Sequence, residues 1–142
     1  QVYVDYHRGL RIYGDLVAMG TAAEPILFTS AEITPTAGYW DGIQVGYSSY
    51  PTATARFEHT TIAYGGYNYA NLYVYTGTVA AAQTNLHDSS SQGVYINAGS
   101  LTLSDSTVRN SAAGLSRFAS SNRPQQLRPG NKSIISFSPG SQ

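Results

Sequence analysis

An all-β fold of the parallel β-helix type, with short strands coiled into stacked rungs, is the class that this sequence predicts. Three observations carry it. The composition is rich in glycine (14) and tyrosine (12), and only 11% of residues are charged. Tyr, Thr, Val and Ile suit pleated surfaces, while Gly, Asn and Ser suit turns. A unit recurs along the chain, and no helical segment separates its strands.

The repeat is clearest in "ATARFEHTTIAYGG" from Ala53, "GTVAAAQTNLHDSS" from Gly77 and "GSLTLSDSTVRNSA" from Gly99. Ala55, Val79 and Leu101 align, as do Phe57, Ala81 and Leu103, and then Ile62, Leu86 and Val108. The last column closes at intervals of 24 and 22 residues. A second short strand recurs between these stretches, as "NLYVYTG" from Asn71, "GVYINAG" from Gly93 and more weakly "GLSRFAS" from Gly114. No unit can bury its apolar side alone, so the units must stack.

The first half repeats this grammar with looser turns. "GLRIYG" from Gly9, "DLVAMG" from Asp15, "PILFTSA" from Pro25 and "WDGIQVG" from Trp40 read as strands. Glu32–Asp41 and Gly46–Thr54 are the longest turn-rich gaps. The whole amounts to about six rungs. Inward columns run through Leu10, Ile12, Leu16, Val17, Ile26, Phe28, Ile43, Val45 and Phe57. They continue through Ile62, Leu72, Val74, Val79, Leu86, Val94, Ile96, Leu101, Leu103 and Val108.

Three segments follow from this pattern: a β-helix over 1–115, a polar linker or excursion over 116–132, and a terminal strand within 133–142. The linker holds Pro124 and Pro129 and reads as no interior strand. Beyond it, Ile134, Ile135 and Phe137 form a C-terminal extension with one extra strand. That extension echoes the opening run, with Val4 matching Ile135 and Tyr6 matching Phe137.

"GLRIYGDLVAMGTAAEPILFTSA", then "GYWDGIQV" and "ARFEHTTIAYGG", resemble right-handed parallel β-helix repeat proteins of the pectate-lyase-like superfold. The resemblance spans roughly residues 1–115 and implies a right-handed coil and a secreted or surface-displayed protein. It implies function weakly, because one superfold hosts lyases, hydrolases, adhesins and structural stalks.

Catalysis in that superfold uses carboxylates, at times with calcium, on one face of successive rungs. The aligned polar columns here read His59, Gln83, Asp105 and Tyr64, Asp88, Asn110. Neither pairs acids in neighbouring rungs, so no metal or cofactor site is assembled. His87, Asp88, Asp105 and Arg109 form the best catalytic constellation, against a plainer reading as polar residues flanking turns. A threonine array suited to ice is broken by Asn85 and Ser106.

Tyr64, Tyr67, Tyr69, Tyr73 and Tyr75 cluster within twelve residues, and Tyr95 aligns with Tyr73. Leu72 and Val74 point inward, so Tyr73 and Tyr75 point outward. Such a face suits sugar stacking or a protein contact.

A formal net charge of zero argues against generic nucleic-acid binding. It hides a direction. Residues 1–105 hold all eight acids against three arginines, a net −5, and the remainder holds five bases and no acid, a net +5. With no cysteine there is no disulfide frame, and no apolar run is long enough to span a membrane.

The expected function is therefore a non-enzymatic extracellular building block that stacks head-to-tail into a filament, fibre or stalk. Val2, Tyr3, Val4 and Tyr6 at one end would meet Ile134, Ile135 and Phe137 of another copy. Arg123, Arg128 and Lys132 would steer them. The alternative is a module that binds or cleaves polysaccharide through the tyrosine face.

Overall fold

The computed structural model describes residues 1–117 and 135–137, which hold strands and turns and no helix. The first turn of the coil is β1 (Val2–Val4), β2 (Gly9–Ile12) and β3 (Asp15–Met19). The second is β4 (Ile26–Ser30), β5 (Gly42–Val45) and β6 (Thr54–Glu58). The third is β7 (Thr60–Ala63), β8 (Ala70–Val74) and β9 (Thr78–Ala82). The fourth is β10 (Asn85–His87), β11 (Gln92–Ile96) and β12 (Ser100–Ser104). β13 (Thr107–Arg109) and β14 (Ala113–Arg117) begin a fifth, and β15 (Ile135–Phe137) stands apart.

Every third strand joins the same sheet. Sheet A runs β1-β4-β7-β10-β13, sheet B runs β2-β5-β8-β11-β14, and sheet C runs β3-β6-β9-β12-β15. All pairings among the first fourteen strands are parallel, which makes a β-solenoid-like arrangement. The described residues complete four turns and two strands of a fifth, fewer than the six rungs expected. Residues 31–41 and 46–53, expected as turn-rich gaps, are loops and add no rung.

The repeat alignment is the strand register. Ala55 pairs with Val79 and Val79 with Leu101, while Ile62 pairs with Leu86 and Leu86 with Val108. These inward columns meet in one core, in which Ile43, Val45, Ile62, Leu72, Leu86, Val94, Ile96, Leu101 and Leu103 are fully buried. Trp40 joins them from the turn before β5, and its indole Nε1–H donates to the Ala63 carbonyl at 2.8 Å. Burying its ring therefore leaves no donor unpaired.

Val17 is a correction. It was expected in the core but is 65% exposed, and Ala18 takes the inward place. β3 is apolar at four successive positions, so alternation does not fix its register. Pairing with β6 does: Leu16 lies beside Ala55 and Ala18 beside Phe57. A one-residue shift would set Val17 in place of Ala18 beside Phe57, whose ring packs edge-on against Phe28.

The polar columns have a backbone cause. His59, Gln83 and Asp105 have φ of 44°, 47° and 46°, and Tyr64, Asp88 and Asn110 have φ of 64°, 54° and 49°. Each sits at a corner where the chain leaves one sheet for the next. A left-handed residue turns the chain sharply, and Asn, Asp and His are enriched there.

At the corners between sheets C and A the next inward hydroxyls close the carbonyls. Thr60 Oγ1 donates to Glu58 O at 3.0 Å, Thr84 Oγ1 to Ala82 O at 2.9 Å, and Ser106 Oγ to Ser104 O at 2.8 Å. Thr60 and Thr84 are buried, so they present no outward threonine array.

The two chain ends differ in pairing. β15 lies antiparallel on the chain's own β12, with Leu101 opposite Phe137 and Leu103 opposite Ile135. The strand expected at Ile135 and Phe137 thus occupies the outer edge of sheet C. Arg123, Arg128, Lys132 and Ile134 lie outside the described residues, as does nearly all of the expected 116–132 linker.

Candidate binding face

Sheet B carries an outward column through its middle. Arg11 pairs with Gln44, Gln44 with Tyr73, Tyr73 with Tyr95, and Tyr95 with Ser116. Inward neighbours on either side fix this direction, because Leu72, Val74, Val94 and Ile96 are fully buried. The column changes character along the solenoid, from planar polar side chains to aromatic ones.

At the polar end Asp41 receives two groups. The Arg11 guanidinium lies 3.7 Å from one carboxylate oxygen, and Asn68 Nδ2 donates to the other at 2.9 Å. Gln44 Nε2 donates to the Gly46 carbonyl at 3.0 Å. Arg11, Asp41, Gln44, Asn68, Tyr69 and Tyr73 line a hollow of about 30 Å³. Gly42 lets the sheet close behind it: its φ is +99°, and a Cβ there would stand 2.0 Å from the Ala70 carbonyl oxygen. Only glycine fits that close approach.

At the aromatic end Tyr73 is the hub. Its ring centre is 4.7 Å from Tyr69, 5.3 Å from Tyr95 and 5.5 Å from Tyr75. The chain of rings continues from Tyr75 to Tyr47 at 5.2 Å, Tyr47 to Tyr13 at 6.3 Å, and Tyr13 to Tyr50 at 4.6 Å. These distances fall in the favourable range for offset and edge contacts. Tyr73 itself is 8% exposed, whereas Tyr69 is 52% and Tyr13, Tyr47 and Tyr50 are each above 40%.

The hub phenol is held neutral. Burial, then the phenols of Tyr69, Tyr75 and Tyr95, push the Tyr73 pKa far above the usual tyrosine range. Burial followed by Tyr69 raises Tyr95 in the same direction. The face is thus uncharged at its aromatic end and carries the Arg11–Asp41 pair at its polar end.

Four of the six tyrosines expected to form a binding surface meet here: Tyr69, Tyr73, Tyr75 and Tyr95. The other two lie elsewhere. Tyr67 stacks on His7 at 3.6 Å, and Tyr64 sits at a corner with its ring 5.7 Å from His87. Tyr13, Tyr47 and Tyr50 complete the face and were not read from the sequence as part of it. A signal existed for one of them, since Tyr13 follows Ile12 as Tyr75 follows Val74 in the second strand of its turn.

The alternative catalytic constellation divides. His87 Nδ1 lies 2.6 Å from Asp88 Oδ2, and His87 pairs in register with Arg109. Asp105 precedes β13 whereas Asp88 follows β10, which puts the two acids at opposite ends of sheet A strands. Both acids are left-handed corner residues. His87 borders a cavity of about 570 Å³ between sheet A and the 31–35 loop, where Glu32 is the acid and is hydrogen-bonded to Thr36 Oγ1. Among the described residues no group of three or more His, Cys, Asp and Glu is arranged to hold a metal.

Of the expected assembly residues, Val2, Tyr3 and Val4 form β1, which pairs on one side only, with β4. Tyr6 is 58% exposed and stacks on His7 in the turn that follows. No helix among the described residues is long and apolar enough to cross a membrane. Comparison with protein-family models, with curated proteins and with solved structures returned no match.

Proposed function

We propose that the protein is an extracellular, right-handed β-solenoid of the pectate-lyase-like kind that binds polysaccharide on sheet B without cleaving it. The supporting observation is the column Arg11, Gln44, Tyr73, Tyr95 with its flanking tyrosines. Sugar rings offer C–H faces to aromatic rings and hydroxyl pairs to planar polar groups, and this face sets both kinds of partner side by side. The hub phenols stay neutral and keep their O–H donors. Right-handed crossover is also the general preference of parallel strand connections.

Affinity electrophoresis in gels cast with neutral and acidic polysaccharides tests this reading. At least one polysaccharide should retard the chain, and the pair Tyr69→Ala with Tyr47→Ala should weaken retardation about tenfold or more. Mobility unchanged in every gel, or retardation indifferent to both substitutions, overturns it.

A second reading, head-to-tail stacking with another copy, is favoured by a separate observation. Among the described residues β1, β2 and β3 at one end and β13 and β14 at the other each pair on one side only. Such edges accept further strands. Negative-stain electron microscopy at low and high salt, with a deletion from Ser133 onward, separates the outcomes. Filaments lost on deletion mean that the tail is donated to a neighbour, and filaments gained mean that β15 acts as a cap. Monodisperse particles throughout remove this reading.

A further inference from the structure

Sheet C presents a face of a different kind, and the inference drawn from it does not rest on the polysaccharide reading. Its outward residues form three adjacent columns fixed by strand register. Asp15, Thr54, Thr78 and Ser100 make the first and bond among themselves, Thr54 Oγ1 donating to Asp15 Oδ1 at 2.6 Å and Ser100 Oγ to Thr78 Oγ1 at 3.2 Å. Two more columns lie beside it. One runs Val17, Arg56, Ala80, Thr102 and the other Met19, Glu58, Ala82, Ser104. In these two columns each turn of the solenoid therefore contributes one pair of outward residues, about 6.7 Å apart along its strand.

Read by turn, the pairs change in size and charge. The first is two apolar side chains, Val17 and Met19, which are 65% and 43% exposed. The second is the opposite charges Arg56 and Glu58, neither of which makes an ion pair among the described residues. The third and fourth are small, Ala80 with Ala82 and Thr102 with Ser104, and with Arg56 and Glu58 they floor a hollow of about 110 Å³. Two exposed apolar side chains beside opposite charges with no ion pair among the described residues suit a partner that supplies apolar surface and both signs of charge.

We propose that this partner is a second copy of the same chain, docked face to face across a two-fold axis that runs along the solenoid between the two columns. Such an axis exchanges the columns and leaves each turn at its own level. Val17 then meets Met19 of the partner copy, and Arg56 meets its Glu58. The third turn sets Ala80 against Ala82, and the fourth sets Thr102 against Ser104. Like meets like in size at every level, and opposite charges meet twice. An axis parallel to the strands would instead set charge against alanine or Arg56 against itself. The self-complementarity thus selects one isologous arrangement.

The area sets the strength. Four strands about 4.8 Å apart and five residues long at about 3.3 Å each span roughly 300 Å² of sheet. A standard stable interface covers about 800 Å² per partner, so this dimer is a weak one that forms at high local concentration. Paired solenoids would hold two sheet B faces on one particle, which multiplies avidity for any repeating ligand.

Sedimentation velocity of the full chain, from micromolar to millimolar concentration at low salt, tests the proposal through a charge exchange. The wild-type chain should show a monomer–dimer equilibrium that salt weakens. Arg56→Glu and Glu58→Arg each set like charges against each other twice, and each should weaken association about 100-fold or more. An equimolar mixture of the two variants should form a heterodimer, and the double variant R56E/E58R should regain the homodimer.

Recovery in the mixture also shows that both single variants are folded. Tyr69→Ala should leave association unchanged. A chain that stays monomeric throughout overturns the proposal. So does association that survives both single substitutions, or a mixture that fails to associate when the wild type does.

Discussion

The centre of sheet B reads Arg11, Gln44, Tyr73, Tyr95 on its outward side, and the matching centre of sheet C reads Val17, Arg56, Ala80, Thr102. Turned inward, the two sheets are nearly interchangeable. Leu72, Val74, Val94 and Ile96 on one and Val79, Ala81, Leu101 and Leu103 on the other are at most 3% exposed. The core constrains one residue in two and leaves the alternate residue free. A solenoid can therefore carry an aromatic, ring-stacked face and a flat, small-residue face on one frame.

The comparison also shows that outward is not the same as exposed. Tyr73 points away from the core yet is 8% exposed, because Tyr69, Tyr75 and Tyr95 close around it. Sheet C, floored by alanine and short hydroxyl side chains, offers no such cover.

The largest effects should come from breaking what the two sheets share. Leu72→Ala in sheet B and Leu101→Ala in sheet C each remove a fully buried side chain. Each should cost about 2–5 kcal/mol in denaturant unfolding. Costs that differ several-fold would mean that the two sheets do not share one packed core.

Next come the corners between sheets. Asp105→Val forces a β-branched residue into a φ of +46° and should cost about 1–2 kcal/mol, whereas Asp105→Gly should be neutral or stabilising. Loss of stability in both variants would assign Asp105 a side-chain role that its position at the corner does not suggest.

Alkaline titration sharpens the contrast between the faces. An unfolded tyrosine ionises near pH ~10. The folded Tyr73 pKa is raised, so above that pH the unfolded state loses its proton first and the native state retains more. The stabilisation is complete below about pH 10 and is lost as pH rises from there toward the raised native value. Thermal melts of Tyr73→Phe should decline less steeply across that range. Equal slopes for Tyr73→Phe and wild type would contradict the buried hub.

The smallest effect belongs to sheet C. Val17→Ser, at a 65% exposed position, should change monomer stability by less than about 0.5 kcal/mol. A larger loss would return Val17 to the core.

Much of this fold was legible before any coordinates, and the parts that were not have specific reasons. The repeat alignment gave true register partners because parallel stacking sets equivalent residues of successive turns side by side. Tyr73 and Tyr95 were paired correctly on the same ground. Val17 was misplaced because four successive apolar residues carry no alternation.

The polar columns read as turn-flanking residues, but sequence shows residue type and not φ, so their left-handed backbone was not legible. In the structure the same columns are corners. Asp41 and Asn68, 27 residues apart, gave no periodic signal because both lie in loops.

By itself the sequence determined most of the coil: which residues face the core wherever apolar and polar residues alternate, how those turns stack, and that among the described residues no helix interrupts them. That information is periodic, and burial enforces it turn by turn. Only the tertiary structure decided the outward faces, the corner geometry and the antiparallel seat of β15 on β12. These depend on which turns lie side by side and on loops of unequal length, and no regular spacing records either.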